Sequence, residues 1–228
     1  MWKLIKLEWK KNNIMKYVRN AAIVTAVLLV FVISMAGELE MTASAEGNGK
    51  ALLNVTVGLF VHMSYIVFTG VMLASFVVGA YEKKTMNLMF SYPISRHKIL
   101  LSKVFAVWIF NFIAMVVSKS VIFGALLLTR PLTHITTGIR FGSLSFWMEI
   151  LVESAAMVSI SYISLPIGLA MKSSKAAIVA SVIIVCFTQG NIGSFTLMNN
   201  LFFYAVLFVT AIFSVYLAVR NVEVKDLL

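Results

Sequence analysis

Six apolar runs divide this chain, and their length leaves few folds open to it. The runs are Asn20–Ala36, Val55–Ala80, Val104–Thr129, Phe146–Met171, Ala176–Gln189 and Leu201–Val219. A helix of about 20 residues crosses about 30 Å of hydrocarbon. Composition agrees: 61% of the residues are hydrophobic, only 12% are charged, and the mean hydropathy is +0.95. Soluble domains carry about twice that charged fraction. A soluble fold of 228 residues cannot hide so much apolar surface. The expectation is an all-α membrane protein, one transmembrane domain over residues 1–228, with six transmembrane helices. The single cysteine, Cys186, lies inside an apolar run and supports neither an intrachain disulfide nor a metal cluster.

The fifth run is short. Gly190, Asn191, Ile192, Gly193 and Ser194 follow it, and a further apolar stretch precedes Asn199 and Asn200. Two glycines in four residues interrupt a helix. Residues 190–200 are therefore expected to dip back into the membrane as a re-entrant segment on the outer side. Such backbone is tolerated only where protein or water covers it.

Charge sets the expected orientation. With the N-terminus inside, the inner segments hold 15 of the 19 Lys and Arg, the outer segments hold Lys50, Arg130 and Arg140, and Lys119 falls inside a span. That bias predicts both termini in the cytoplasm of a multi-pass protein of the cell membrane. It also explains the net charge of +10, since the basic residues face anionic lipid. No folded polar domain is left to present a groove to nucleic acid.

The first 19 residues are a basic leader. Their charges, the apolar run behind them and Ala43-Ser44-Ala45 imitate a signal peptide, but leader and run are long for one. On a helical wheel Leu4, Leu7, Ile14, Met15 and Val18 gather on one side, Trp2, Ile5 and Trp9 on another, and Lys3, Lys6 and Lys10 between them. Residues 1–19 are thus expected as an elbow helix lying in the interface, either as a plain anchor or as a brace for a partner.

Tyr81 to Lys103 is a polar island between the second and third runs, holding five cations: Lys83, Lys84, Arg96, Lys98 and Lys103. A mere link between helices needs fewer residues. Glu82 to Phe90 contains helix formers and no breaker, and Met86, Met89 and Phe90 fall at i, i+3 and i+4 on one face. Pro93 disfavours helical geometry at Tyr92. Ser95 is placed to cap a second helix from Arg96 into the membrane. The expected shape is helix, turn, helix, protruding into the cytoplasm and suited to a groove on a partner.

The run Glu82…Thr85…Leu88…Pro93-Ile94-Ser95-Arg96…Ile99…Lys103, placed after the second of six spans, resembles the ABC type-2 transporter permease family. The elbow and the interrupted stretch after the fifth run resemble that family's layout over the whole chain. One departure is Lys84, where family members often carry glycine before the threonine. The resemblance implies that residues 81–103 form a coupling helix seated in a cleft of a separate ATP-hydrolysing subunit. Its contact residues would be Glu82, Lys83, Thr85, Met86, Leu88, Met89, Phe90, Pro93, Ser95 and Arg96. It further implies two nucleotide-binding subunits and a second permease, either a copy or a relative of this chain.

The chain shows no G-x-x-x-x-G-K-[ST] run; Gly47-Asn48-Gly49-Lys50 has the wrong spacing. It is therefore expected to bind no cofactor itself and to catalyse nothing, with ATP and Mg held by the partner. There is also no H-E-x-x-H or G-x-S-x-G signature, and His62, His97 and His134 fall in three separate regions.

Ionisable groups inside spans are the remaining candidates, because charge in hydrocarbon faces protein or water and finds a partner. They are His62, Lys119, Glu149 and Glu153. Glu149 and Glu153 stand at i, i+4 on one helix face. At about 1.5 Å per residue, Lys119 lies about 15 Å and Glu153 about 10 Å below the outer ends of their spans, so the two can pair. Such a pair either fixes helix register or lines the outer part of a transport path. His62 is expected in helix packing or a cavity wall. Glu38, Glu40 and Glu46 in segment 37–53 read as an ordinary solvated loop, or as an acidic surface for a cationic peptide. Ser164-Leu165-Pro166-Ile167-Gly168 predicts a kink, which is also a possible hinge.

The function expected is the permease subunit of an ATP-driven exporter of peptides or of antimicrobial or hydrophobic compounds, working by alternating access at a permease dimer interface. Lipid, glycan or ion export, a membrane-embedded enzyme and a non-transporting sensor are the alternatives.

Overall fold

The computed structural model describes residues 2–46, 49–82, 96–133, 143–189, 191–192, 195–196 and 201–225, with side-chain positions for 2–35, 55–82, 98–128, 143–189 and 206–218. The helices are α1 (Trp2–Lys11), α2 (Ile14–Glu46), α3 (Gly49–Leu73) and α4 (Gly79–Glu82), then α5 (Arg96–Thr133), α6 (Leu144–Ser161), α7 (Ser164–Ala170), α8 (Ser174–Gln189) and α9 (Leu201–Lys225). A π turn, Ala74–Val78, joins α3 to α4. Helix is what an apolar chain must form where no water can satisfy its backbone.

Four helical stretches among the described residues are long and apolar enough to cross a membrane: Ile14–Met35, Val55–Glu82, Lys98–Leu128 and Leu144–Ala170. Two shorter apolar helices, Ser174–Gln189 and Val206–Ala218, correspond to the fifth and sixth runs. The chain is thus an all-helical membrane protein, apart from one small antiparallel pairing. That pairing joins Asn191–Ile192 to Thr196–Phe195, within the stretch expected to be re-entrant.

The contacts divide into two units. One holds residues 1–14, 65–112 and 155–228; the other holds residues 15–64 and 113–154. The long helices α3, α5 and α6 contribute a segment to each.

The leader differs from the single elbow expected over residues 1–19. It breaks at Asn12–Asn13, so residues from Ile14 onward belong to the first long helix. The break has a local cause. Asn13 adopts φ 49°, a left-handed conformation that asparagine tolerates, and its N–H reaches back to Lys10 O at 3.4 Å. The Asn12 side chain also caps the helix end, donating to Glu8 O at 3.1 Å. Segment 37–53, expected as a loop, is helical on both sides of positions 47–48.

The kink expected from Pro166 falls at Tyr162–Ile163, between α6 and α7. Proline at 166 offers no N–H to the Tyr162 carbonyl, four residues back. Leu165 N takes that carbonyl instead at 3.0 Å, and Ile163 N turns to Ile160 O at 3.1 Å. These are the tighter i−3 bonds of a 3₁₀ turn. Ser161 and Ser164 donate to the carbonyls of Met157 and Ser161, which satisfies backbone that the kink disturbs.

A tight hairpin joins α7 to α8. Lys172 sits at φ 47°, Ser173 N donates to Gly168 O at 3.2 Å, and Lys172 N to Leu169 O at 3.2 Å. This is the Schellman ending, with a lysine whose charge also suits the helix C-terminus. The hairpin can close because Gly168 has no side chain: a Cβ there would lie 2.6 Å from Ala177 Cβ. Gly70 does the same for α3, since its Cβ would lie 2.3 Å from Ser181 Cβ. Small residues let membrane helices approach this closely.

Candidate functional site

Three of the four intramembrane candidates meet in the second unit. α5 carries Lys119, α3 carries His62 and α6 carries Glu153. Lys119 Nζ donates to Glu153 Oε2 at 2.6 Å, and His62 Nε2 lies 3.6 Å from the same oxygen. Lys119 and His62 are fully buried, whereas the Glu153 side chain is 38% exposed. The carboxylate therefore lies at the edge of the cluster, with both partners behind it.

The chemistry of this trio follows from burial. A lysine ammonium removed from water needs a counter-ion, and a short charge-assisted bond to Glu153 supplies one. The imidazole is different. At 3.6 Å it is beyond a good hydrogen bond to Glu153, and neither ring nitrogen has a hydrogen-bond partner. An idle buried polar group is costly, which makes His62 the least satisfied member of the trio. Ser154, next to Glu153, likewise buries a hydroxyl with no partner. Beside Lys119, Ser118 hydrogen-bonds Thr25 of α2 through their hydroxyls. Thr25 also donates to Ala21 O at 2.8 Å.

Glu149 does not join. It is exposed, and it makes no hydrogen bond to His62, Lys119 or Glu153. The i, i+4 spacing put it on the right face of α6 but one turn too far along. No group of three or more His, Cys, Asp or Glu able to hold a metal occurs among the described residues.

The first unit holds the ends of the polar island. Lys83, Thr85, Met86, Leu88, Met89, Phe90, Pro93 and Ser95 lie outside the described residues, as does the side chain of Arg96. α5 begins at Arg96, where the second helix of the island is expected. On the incoming side, Glu82 Oε2 accepts from Ser174 Oγ at 2.6 Å and from Ser174 N at 3.2 Å. It thereby places a carboxylate at the N-terminus of α8, where unpaired N–H groups and the helix dipole favour negative charge. Ser174 Oγ also lies 3.4 Å from Ala74 O, in the π turn. Widened turns expose carbonyls in this way.

On the outgoing side, Lys103 is buried, and its ammonium donates to Glu8 Oε2 at 2.8 Å. One helical turn on, Trp9 Nε1 donates to Ala106 O at 3.1 Å. Glu8 and Trp9 thus fasten α1 along the start of α5, with Ile5 buried and Trp2 resting edge-on against Trp9. Sequence reasoning missed Glu8 and counted Lys103 only among the five cations of the polar island. The available signal was a lone acid in a leader of six Lys and Arg. Cys186 is exposed on the surface of the apolar helix α8.

No family model matches the chain, and no solved structure matches it. It is similar to the uncharacterized protein YcbO of Bacillus subtilis (strain 168), with 26% identity over 233 aligned residues that take in 98% of this chain and 99% of that one.

Proposed function

We propose that this chain is the membrane-spanning permease subunit of an ATP-driven ABC exporter. In this reading it crosses the cell membrane six times with both termini in the cytoplasm. Residues 81–103 dock as a coupling helix on a separate ATPase that carries ATP and Mg. A second permease, a copy or a relative, completes the path. The cargo class is peptides or antimicrobial or hydrophobic compounds, moved by alternating access at the permease dimer interface.

The observation that carries this reading is the double anchorage of the island. Glu82 is held by α8 and Lys103 by α1, each through a charge-assisted bond. A passive linker needs neither anchor. A lever needs both, because a push on residues 83–95 then reaches α8 at one end and α1 with α5 at the other. The intramembrane trio of Lys119, Glu153 and His62 supplies a polar element of the kind that lines a path.

The test is affinity purification of the full chain in mild detergent, with mass spectrometry of what comes with it. A P-loop ATPase should co-purify, and Met86→Asp with Phe90→Asp should abolish its recovery while the chain itself stays folded. Recovery of no ATPase from cells that naturally express the chain, or equal recovery with the double variant, would overturn the proposal.

A further inference from the structure

An apolar groove of about 500 Å³ runs along the first unit between α5, the end of α6 and α9. Leu101, Phe105 and Trp108 form one wall, and Phe208, Ile212 and Tyr216 form another. Apart from the Tyr216 hydroxyl, its polar side-chain atoms are already engaged. Trp108 Nε1 donates to Ser159 Oγ at 3.2 Å, Ser159 Oγ donates to Ala155 O at 2.7 Å, and Tyr162 Oη donates to Val104 O at 2.8 Å. A polar cargo would find little to bond there, whereas a hydrocarbon chain loses nothing.

The groove has a charged end. Lys98 is exposed, and it lies seven residues before Phe105 on α5, nearly in line with it. At about 1.5 Å per residue that sets the ammonium's backbone about 10 Å along the axis from Phe105. From Leu101 to Trp108 the wall also runs about 10 Å, which fits within one leaflet's half of a hydrocarbon layer of about 30 Å. Tyr216 stands exposed on the other wall, and in sequence Arg220 follows it by one helical turn. The exposed Lys98, about one turn before the wall at Leu101, and an apolar trough reaching away from it match the two parts of an anionic phospholipid.

We infer that this groove is a binding site for an anionic phospholipid from the leaflet at the Lys98 end, its acyl chain between Phe105 and Ile212 and its phosphate on Lys98. The site takes its chain from α5, the helix that leads out of the polar island, so lipid occupancy braces α5 against α9. The inference stands on the membrane character of the chain alone and is independent of the transport reading.

Fluorescence quenching tests it. The full chain is reconstituted into phosphatidylcholine vesicles with rising fractions of brominated phosphatidylglycerol or brominated phosphatidylcholine. The emission followed is the component that Trp108→Phe removes. Brominated phosphatidylglycerol should reach half-quenching at a mole fraction about fivefold lower than brominated phosphatidylcholine, as one lysine at a membrane surface can provide. Lys98→Gln should erase that preference while leaving quenching by either lipid intact; Lys98→Arg should keep it. Equal midpoints for the two lipids in the unaltered chain would overturn the headgroup assignment. Absence of Trp108 quenching by both would overturn the site and show the groove covered by protein, such as a second copy. Should Trp108→Phe fail to fold, phosphatidylglycerol retained per chain after detergent washing gives the same comparison between unaltered chain and Lys98→Gln.

Discussion

Lys119 and His62 approach one oxygen of Glu153, but only the lysine bonds it. Removing the lysine leaves a carboxylate without its counter-ion, and removing both charges leaves none. Lys119→Met should therefore lower stability by about 1–3 kcal/mol, less than for a fully buried pair because Glu153 is part-exposed. Adding Glu153→Gln should recover most of that loss. Thermal unfolding of the four proteins in detergent measures it as a double-mutant cycle. If Glu153→Gln shifts stability by the same amount in the unaltered chain as in Lys119→Met, the coupling is zero and the bond contributes nothing. Depth along the helix was enough to foresee this pair, since Lys119 and Glu153 can be placed in the membrane by counting residues. It could not foresee His62 as the third member, because counting fixes height and leaves the facing of each helix open. For the same reason Glu149 passed as a candidate: spacing puts it on the face of Glu153, and only three-dimensional packing shows that it misses the cluster. Glu8 and Lys103 escaped for another reason. Glu8 stands out as the one acid of a basic leader, but nothing in the sequence singles out Lys103 among the island's cations as its partner 95 residues away.

Two glycines set how closely the elements of the first unit pack, and a third serves as their control. Gly70 and Gly168 have neighbours where a Cβ would go, whereas Gly124 on α5 has nothing within 4 Å. Gly70→Ala should destabilise by about 1–3 kcal/mol through overpacking against Ser181. Gly124→Ala should be neutral or stabilise by up to about 1 kcal/mol, because alanine is the better helix former. Unfolding midpoints of the two variants settle the contrast; equal effects would mean that the close approach at Gly70 does not matter. Elements of this kind were largely legible beforehand. The apolar runs located the helices, and Pro166 located the kink within a few residues, because proline acts through its own missing N–H. The stop at Asn12–Asn13 was not legible, since asparagine in a polar leader reads as a good helix residue until its left-handed backbone is seen. The π turn at Ala74–Val78 left no trace in the composition either; it serves a carbonyl contact with Ser174, a residue 100 positions away.

At the scale of the whole molecule, the proposed orientation makes a direct prediction. With Cys186 replaced by serine, Lys50→Cys should react with an impermeant maleimide on intact cells, and Lys175→Cys only after permeabilisation. The reverse pattern would turn the chain over and remove residues 81–103 from the cytoplasm. Full-length similarity to YcbO allows the same experiment on a second chain. The bond between Glu8 and Lys103 bears on how the molecule is made. Glu8 leaves the ribosome 95 residues ahead of Lys103, a wait of roughly 5–20 s at ordinary synthesis rates. Throughout that interval α1 has no lock, and it gains one only when the third apolar run begins to emerge. A chain halted before Lys103 therefore cannot make this bond, and the docking of α1 through it belongs to the later part of synthesis.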